Sequence, residues 1–120
     1  MKRIIRFFKY LKNRQQSKNQ YMTVIEFLDA LNTCDYKKPV IPIFDNIEVS
    51  LNKGDKKLFR SVETILDGYN YETLKCLDAY INRVTFMPLW DANDTMYWVK
   101  NVVECTNKVY VTLELPDAIL

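Results

Sequence analysis

Residues 95–115, TMYWVKNVVECTNKVYVTLEL, leave this chain few folds to choose from. Apolar and polar side chains alternate on both sides of a short TNK turn, and a period of two marks strands with one buried face. Two antiparallel strands follow, at about 95–105 and 109–115. A third precedes them at about 79–89, set off by the turn residues DAND. Pairing across the two turns gives a register. If Cys105 faces Val109, then Val103 faces Val111, Val102 faces Thr112 and Lys100 faces Glu114. If Trp90 faces Thr95, then Phe86 faces Val99 and Thr85 faces Lys100, which is consistent with the first choice. The core face is then Val84, Phe86, Tyr97, Val99, Val103, Val111 and Leu113. The other, half-polar face is Arg83, Thr85, Met87, Trp98, Lys100, Val102, Tyr110, Thr112 and Glu114. Asn101 falls on the core face and calls for a bulge or a sheet end.

The preceding residues read as helix, hairpin, helix. Thr23 with Glu26 three residues later is a capping box, and Val24, Phe27, Leu28 and Leu31 form the stripe of a helix at 23–32. Asp45-Asn46 turns a hairpin with strands at 40–44 and 47–51, and Pro39 and Pro42 place its first strand at an edge. Asp55 caps a second helix at 56–67, with Gly68 as its left-handed C-cap. A short turn or helix at 71–76 leads into the strands. Residues 22–120 therefore read as one small α+β domain, a helix–hairpin–helix followed by a three-stranded antiparallel meander.

Residues 1–21 form a different unit. They carry seven Lys or Arg and no acid, whereas residues 22–120 carry ten Lys or Arg against fifteen Asp or Glu. On a helix over 2–13, Ile4, Ile5, Phe7, Phe8 and Leu11 share one side. Lys2, Arg6, Lys9 and Lys12 share the other, with Arg3 at the margin and Arg14 just beyond. A polar linker, NRQQSKNQ, follows, and translation could also start at Met22. Such a helix can lie on an anionic membrane, grip phosphates of a nucleic acid, or pack on its own domain.

Much chemistry is excluded by what the sequence lacks. It has no histidine, which removes the usual imidazole base and the commonest metal ligand. Its two glycines, Gly54 and Gly68, cannot make a phosphate-cradling loop. Glu63 with Asp67, and Asp91 with Asp94, are carboxylate pairs, but a solvated helix face and a turn explain them. Cys34, Cys76 and Cys105 are an odd set without C-x-x-C and read as reduced, small buried hydrophobes in a cytoplasm. Arg6 and Lys9 interrupt any signal-peptide core, and no apolar run approaches the roughly 18 residues of a membrane span. No catalysis, cofactor or metal is expected.

Three surfaces remain as candidates. The basic helix offers Lys2, Arg3, Arg6, Lys9, Lys12 and Arg14 to nucleic acid or membrane. The mixed sheet face offers Arg83, Met87, Trp98, Lys100 and Tyr110, residue types suited to a protein interface and, less specifically, to single-stranded nucleic acid. The dispersed carboxylates of the acidic body could mimic a phosphate backbone. MTVIEFLDALN, KKPVIPIFDNIEV and INRVTFM…DTMYWV together resemble short accessory proteins of phages and mobile elements, which open M-T-V-x-E-[FL]-[LI]. The resemblance covers roughly residues 22–104. It implies a protein that binds one host protein, sometimes as an inhibitor of a defence enzyme, in the host cytoplasm. One protein partner is thus expected, with nucleic acid and an anionic membrane as the alternatives.

Overall fold

The computed structural model describes residues 21–77 and 80–116. Among them the chain runs α1 (Val24–Asn32), β1 (Val40–Phe44), β2 (Ile47–Glu48), α2 (Lys53–Leu58), α3 (Val62–Gly68), α4 (Tyr71–Leu77), α5 (Tyr80–Val84), β3 (Pro88–Trp90), β4 (Met96–Glu104) and β5 (Val109–Glu114). This is a small α+β domain built on a five-stranded mixed sheet of order β2-β1-β5-β4-β3. The basic helix expected at 2–13 lies outside the described residues.

α1 begins where its sequence signal places it. Thr23 is extended, its Oγ1 accepts from Glu26 N at 3.2 Å, and Glu26 Oε1 accepts from Thr23 N at 2.9 Å. Two of the orphan N–H groups of the first turn are thereby satisfied. The stripe this fixes, Phe27, Leu28 and Leu31, is fully buried. It meets Val62, Ile65 and Leu66 of α3, Tyr71 of α4, and one sheet face made of Val40, Leu89, Tyr97, Val99, Val109, Val111 and Leu113. Burying each large side chain contributes about 1.5–3 kcal/mol.

The segment before α1 is stitched into this core. Met22 N–H donates to Val99 O at 2.8 Å, Met87 N–H to Met22 O at 2.9 Å, and Val99 N–H to Met87 O at 3.0 Å. Met87 is therefore a core residue, 1 % exposed, and not part of the mixed face where the sequence pattern put it.

Instead of a hairpin beside a separate meander, one mixed sheet forms. β1 pairs in parallel with β5, from Val40–Val109 to Ile43–Thr112, so β5 lies between β1 and β4. The nearly unbroken apolar run VIPIF suits such an inner position, with Val40 and Pro42 buried in the core and Ile41 and Ile43 half-buried on the reverse. The edge is β2, which is only two residues long. Pro42 O accepts from Val49 N at 2.9 Å, so the backbone of Pro42 faces β2 and its missing N–H costs the β5 ladder nothing. Asp45 (φ 54°) and Asn46 (φ 64°) are both left-handed, the form of a two-residue I′ hairpin turn.

The β3–β4 register shifts by one residue, and the β4–β5 register by one beyond the bulge and by two before it. Trp98 pairs with Glu114 and Val99 with Leu113, then a bulge takes up Lys100, and Asn101 pairs with Thr112 and Val102 with Val111. The bulge turns Asn101 out to solvent and Val102 in to the core, which resolves the misfit of a core asparagine. Leu89 pairs with Tyr97 and Trp90 with Met96. The strand expected over 79–89 is reduced to Pro88–Trp90 because Tyr80–Val84 is helical.

The helix expected at 56–67 is two helices. Asn52, not Asp55, caps α2, its Oδ1 accepting from Asp55 N at 2.9 Å. Ser61 (φ −155°) breaks the run and caps α3, accepting from Thr64 N at 3.2 Å while Thr64 Oγ1 accepts from Ser61 N at 3.0 Å. The break lets Phe59 stack on Phe27, ring centroids 6.2 Å apart. Gly68 is helical, and the left-handed residue is Asn70 (φ 57°). Gly68 serves a close approach instead, since a Cβ there would overlap Leu58 Cδ1.

Candidate protein-binding surface

The sheet face opposite the core carries Ile41, Ile43, Tyr110, Thr112, Glu114 and Trp98, paired side by side across β1, β5 and β4. At its β4 end lies an aromatic cluster. The Phe86 ring stands edge-on to Tyr21 at 5.3 Å and to Trp98 at 5.4 Å, and Tyr21 lies 6.2 Å from Trp98. Offset and edge-on ring pairs of this kind add about 0.5–1.5 kcal/mol each beyond burial. Tyr21 Oη donates to Leu115 O at 3.5 Å. Lys100, pushed out by the bulge, still reaches Glu114 Oε2 at 3.2 Å, although Trp98, and not Lys100 as expected, stands opposite Glu114 in the ladder. The Lys108 ammonium sits 5.6 Å from the Tyr110 ring centroid, a cation–π distance.

Of the five residues expected on this face, Trp98, Lys100 and Tyr110 are on it. Met87 is buried, and Arg83 is exposed on α5, not on a strand. The basic residues Lys2, Arg3, Arg6, Lys9, Lys12 and Arg14 lie outside the described residues.

A second apolar surface was not read from the sequence. Leu77 is 65 % exposed, Tyr80 77 %, Ile81 62 % and Val84 49 %. Leu77 ends α4, and Tyr80, Ile81 and Val84 lie along α5, where spacings of one and three residues put these three on one helix face. α5 buries none of its residues. Two residues past Val84, Phe86 joins the aromatic cluster on Trp98, so the chain carries the stripe to the corner of the sheet. Contiguous exposed apolar side chains are costly in water and mark contact surfaces. In the sequence Leu77 and Ile81 keep helical spacing while Tyr80, Val84 and Phe86 fit a strand, and the strand expected over 79–89 follows the second pattern.

Asp91 and Glu104 have structural partners. Asp91 Oδ1 accepts from Asn93 N at 2.8 Å and Thr95 N at 2.9 Å, and Tyr97 Oη donates to Oδ2 at 3.0 Å. The Thr95 N–H, more than the other two donors, holds the Asp91 carboxyl below its usual range, against a smaller opposing effect of desolvation. Glu104 is also held low, first by the Lys38 ammonium at 2.9 Å, then by the Asp35 N–H. Glu63 and Asp67 line an open hollow of about 410 Å³ with Tyr36 and Tyr71. Among the described residues no group of three or more His, Cys, Asp or Glu is placed to hold a metal ion.

Of the cysteines only Cys34 is buried, and burial, then the nearby Glu104, pushes its thiol up. Cys76 and Cys105 are exposed, contrary to the reading of three buried hydrophobes. Cys76 lies in the amphipathic α4 on its solvent side, and Cys105 starts the last turn. Among the described residues no helix is long and apolar enough to cross a membrane.

No family model, curated protein or solved structure matches the chain.

Proposed function

We propose that this protein is a non-catalytic binding module that docks one protein partner through the α4–α5 stripe and the adjoining aromatic corner. The observation that carries this reading is the run of Leu77, Tyr80, Ile81 and Val84, four large apolar side chains each at least 49 % exposed. Tyr80 supplies an apolar body with a polar tip, and Arg83 on the same short helix adds a fork of donors, the residue types that anchor protein interfaces. Trp98 and Lys100 extend the surface onto the sheet. The resemblance to phage accessory proteins directs the partner toward a host enzyme, which the module would inhibit by occupying it.

The test is quantitative capture with tagged full-length protein and its Tyr80→Asp/Ile81→Asp variant, followed by titration of the recovered partner. Both positions are more than 60 % exposed, so the double change should shift folding stability by no more than about 0.5 kcal/mol per site. The expected result is one stoichiometric partner whose affinity falls at least tenfold in the variant. Undiminished affinity, with the same melting temperature, removes the stripe from the interface. An Arg83→Ala/Trp98→Ala variant tests the sheet corner in the same way.

A further inference from the structure

A second site lies apart from that surface. An open groove of about 720 Å³ runs between β1 and the segment that carries α2. Its floor is apolar: Val40, Pro42, Leu51 and Phe59, all buried beneath it. Its rim is cationic: Lys53, Lys56, Lys57 and Arg60, all exposed. These four follow one another at intervals of three, one and three residues, which gathers them on one side of α2 and its C-terminal extension.

This concentration of charge is unlike the rest of the domain. Residues 22–120 carry more acids than bases, and the described lysines Lys38, Lys75 and Lys100 each hold a carboxylate. Among the described residues none of the four rim cations has an ion-pair partner. The one acid within α2 is Asp55, and burial, then that carboxylate, pushes the Tyr69 hydroxyl up to about 12. A lysine face on a surface helix needs no ligand to explain it, but here the charges border an apolar trough of the size that takes small molecules. Glu48 stands on the β2 side of the groove and repels an anion toward α2.

We propose that the groove binds an amphipathic anion, an acyl chain bearing one carboxylate, with the chain laid along Pro39, Ile41 and Val49, above the buried Val40, Pro42, Leu51 and Phe59, and the carboxylate held by Lys56, Lys57 and Arg60. The opposed placement of Glu48 fixes the direction of the chain. Apolar contact supplies affinity, and the rim discriminates by charge. The site is independent of the partner surface on α4–α5.

The experiment is a titration of the ¹⁵N-labelled full chain with decanoate, monitored by NMR, beside decyltrimethylammonium and decan-1-ol. Decanoate should give saturable shifts at the amides of Val49, Leu51 and Phe59. Lys56→Glu/Lys57→Glu should weaken it at least tenfold while the dispersed spectrum shows the fold intact, and raised salt should weaken it in the wild type. The cationic and neutral chains should bind at least tenfold less tightly. The proposal is overturned if decanoate produces no saturable shift at those amides, if the ammonium binds equally well, or if charge reversal leaves the affinity unchanged.

Discussion

Asp91 organises its turn through three accepted hydrogen bonds, and this ties local geometry to pH. An aspartate in the unfolded chain titrates near about 3.9, and the folded carboxyl titrates lower. Its stabilisation is therefore present above that unfolded value and is lost as pH falls through the depressed folded one. Thermal melts between pH 2 and 6 should show a steep loss of stability at the acid end. Asp91→Ala should melt lower at neutral pH and lose part of that slope. An unchanged slope would assign acid sensitivity elsewhere, first to Glu104, which is shifted in the same direction. At the centre of the core, Leu28→Ala should cost about 2–5 kcal/mol by urea unfolding, because the fully buried side chain leaves a cavity on α1. These residues were legible in the sequence: the capping box of Thr23 and Glu26, and the apolar stripe behind it, are local patterns. Met87 was not. Its exposure depends on a register set by Met22 and Val99, which lie far from it along the chain.

Helix boundaries proved less legible than helix existence. Leu58, Phe59, Val62, Ile65 and Leu66 keep helical spacing through 58–66, yet Ser61 interrupts the helix because its hydroxyl captures the Thr64 N–H. Serine competes for backbone donors wherever it stands, and at a break that competition becomes a cap. Ser61→Ala should cost about 0.5–2 kcal/mol, measured by urea unfolding, with Thr64 left without its reciprocal partner. A neutral substitution would mean that the stacking of Phe59 on Phe27, not the cap, sets the break. The opposite error occurred at Tyr80–Val84, where β-prone residues in a short segment form a helix. Tyr, Ile and Val favour strands only when a sheet offers them a half-buried face, and here α5 buries nothing. The same unburied helix supplies the candidate interface.

Sheet order was the least accessible property. Alternation along β4 and β5 declares a hairpin, but nothing local announces that β1 will lie parallel against the far side of β5. That pairing joins residues far apart in sequence, and Val40 and Val109 meet only in the shared core. As the central strand of the sheet, with three core side chains, β5 should hold the slowest-exchanging amides, at Val109–Leu113, opening only with global unfolding. The amides of α5 should exchange fastest among the helices. Hydrogen exchange read by mass spectrometry checks both, and faster exchange in β5 than in α1 would contradict the order. The interleaving also sets a schedule for synthesis. About 70 residues separate Val40 from its partner Val109, which is about 4–14 s of translation at 5–20 residues per second. Throughout that interval the emerging VIPIF segment has only the two-residue β2 to lie against, and a chaperone that shields short apolar stretches on nascent chains would meet it first.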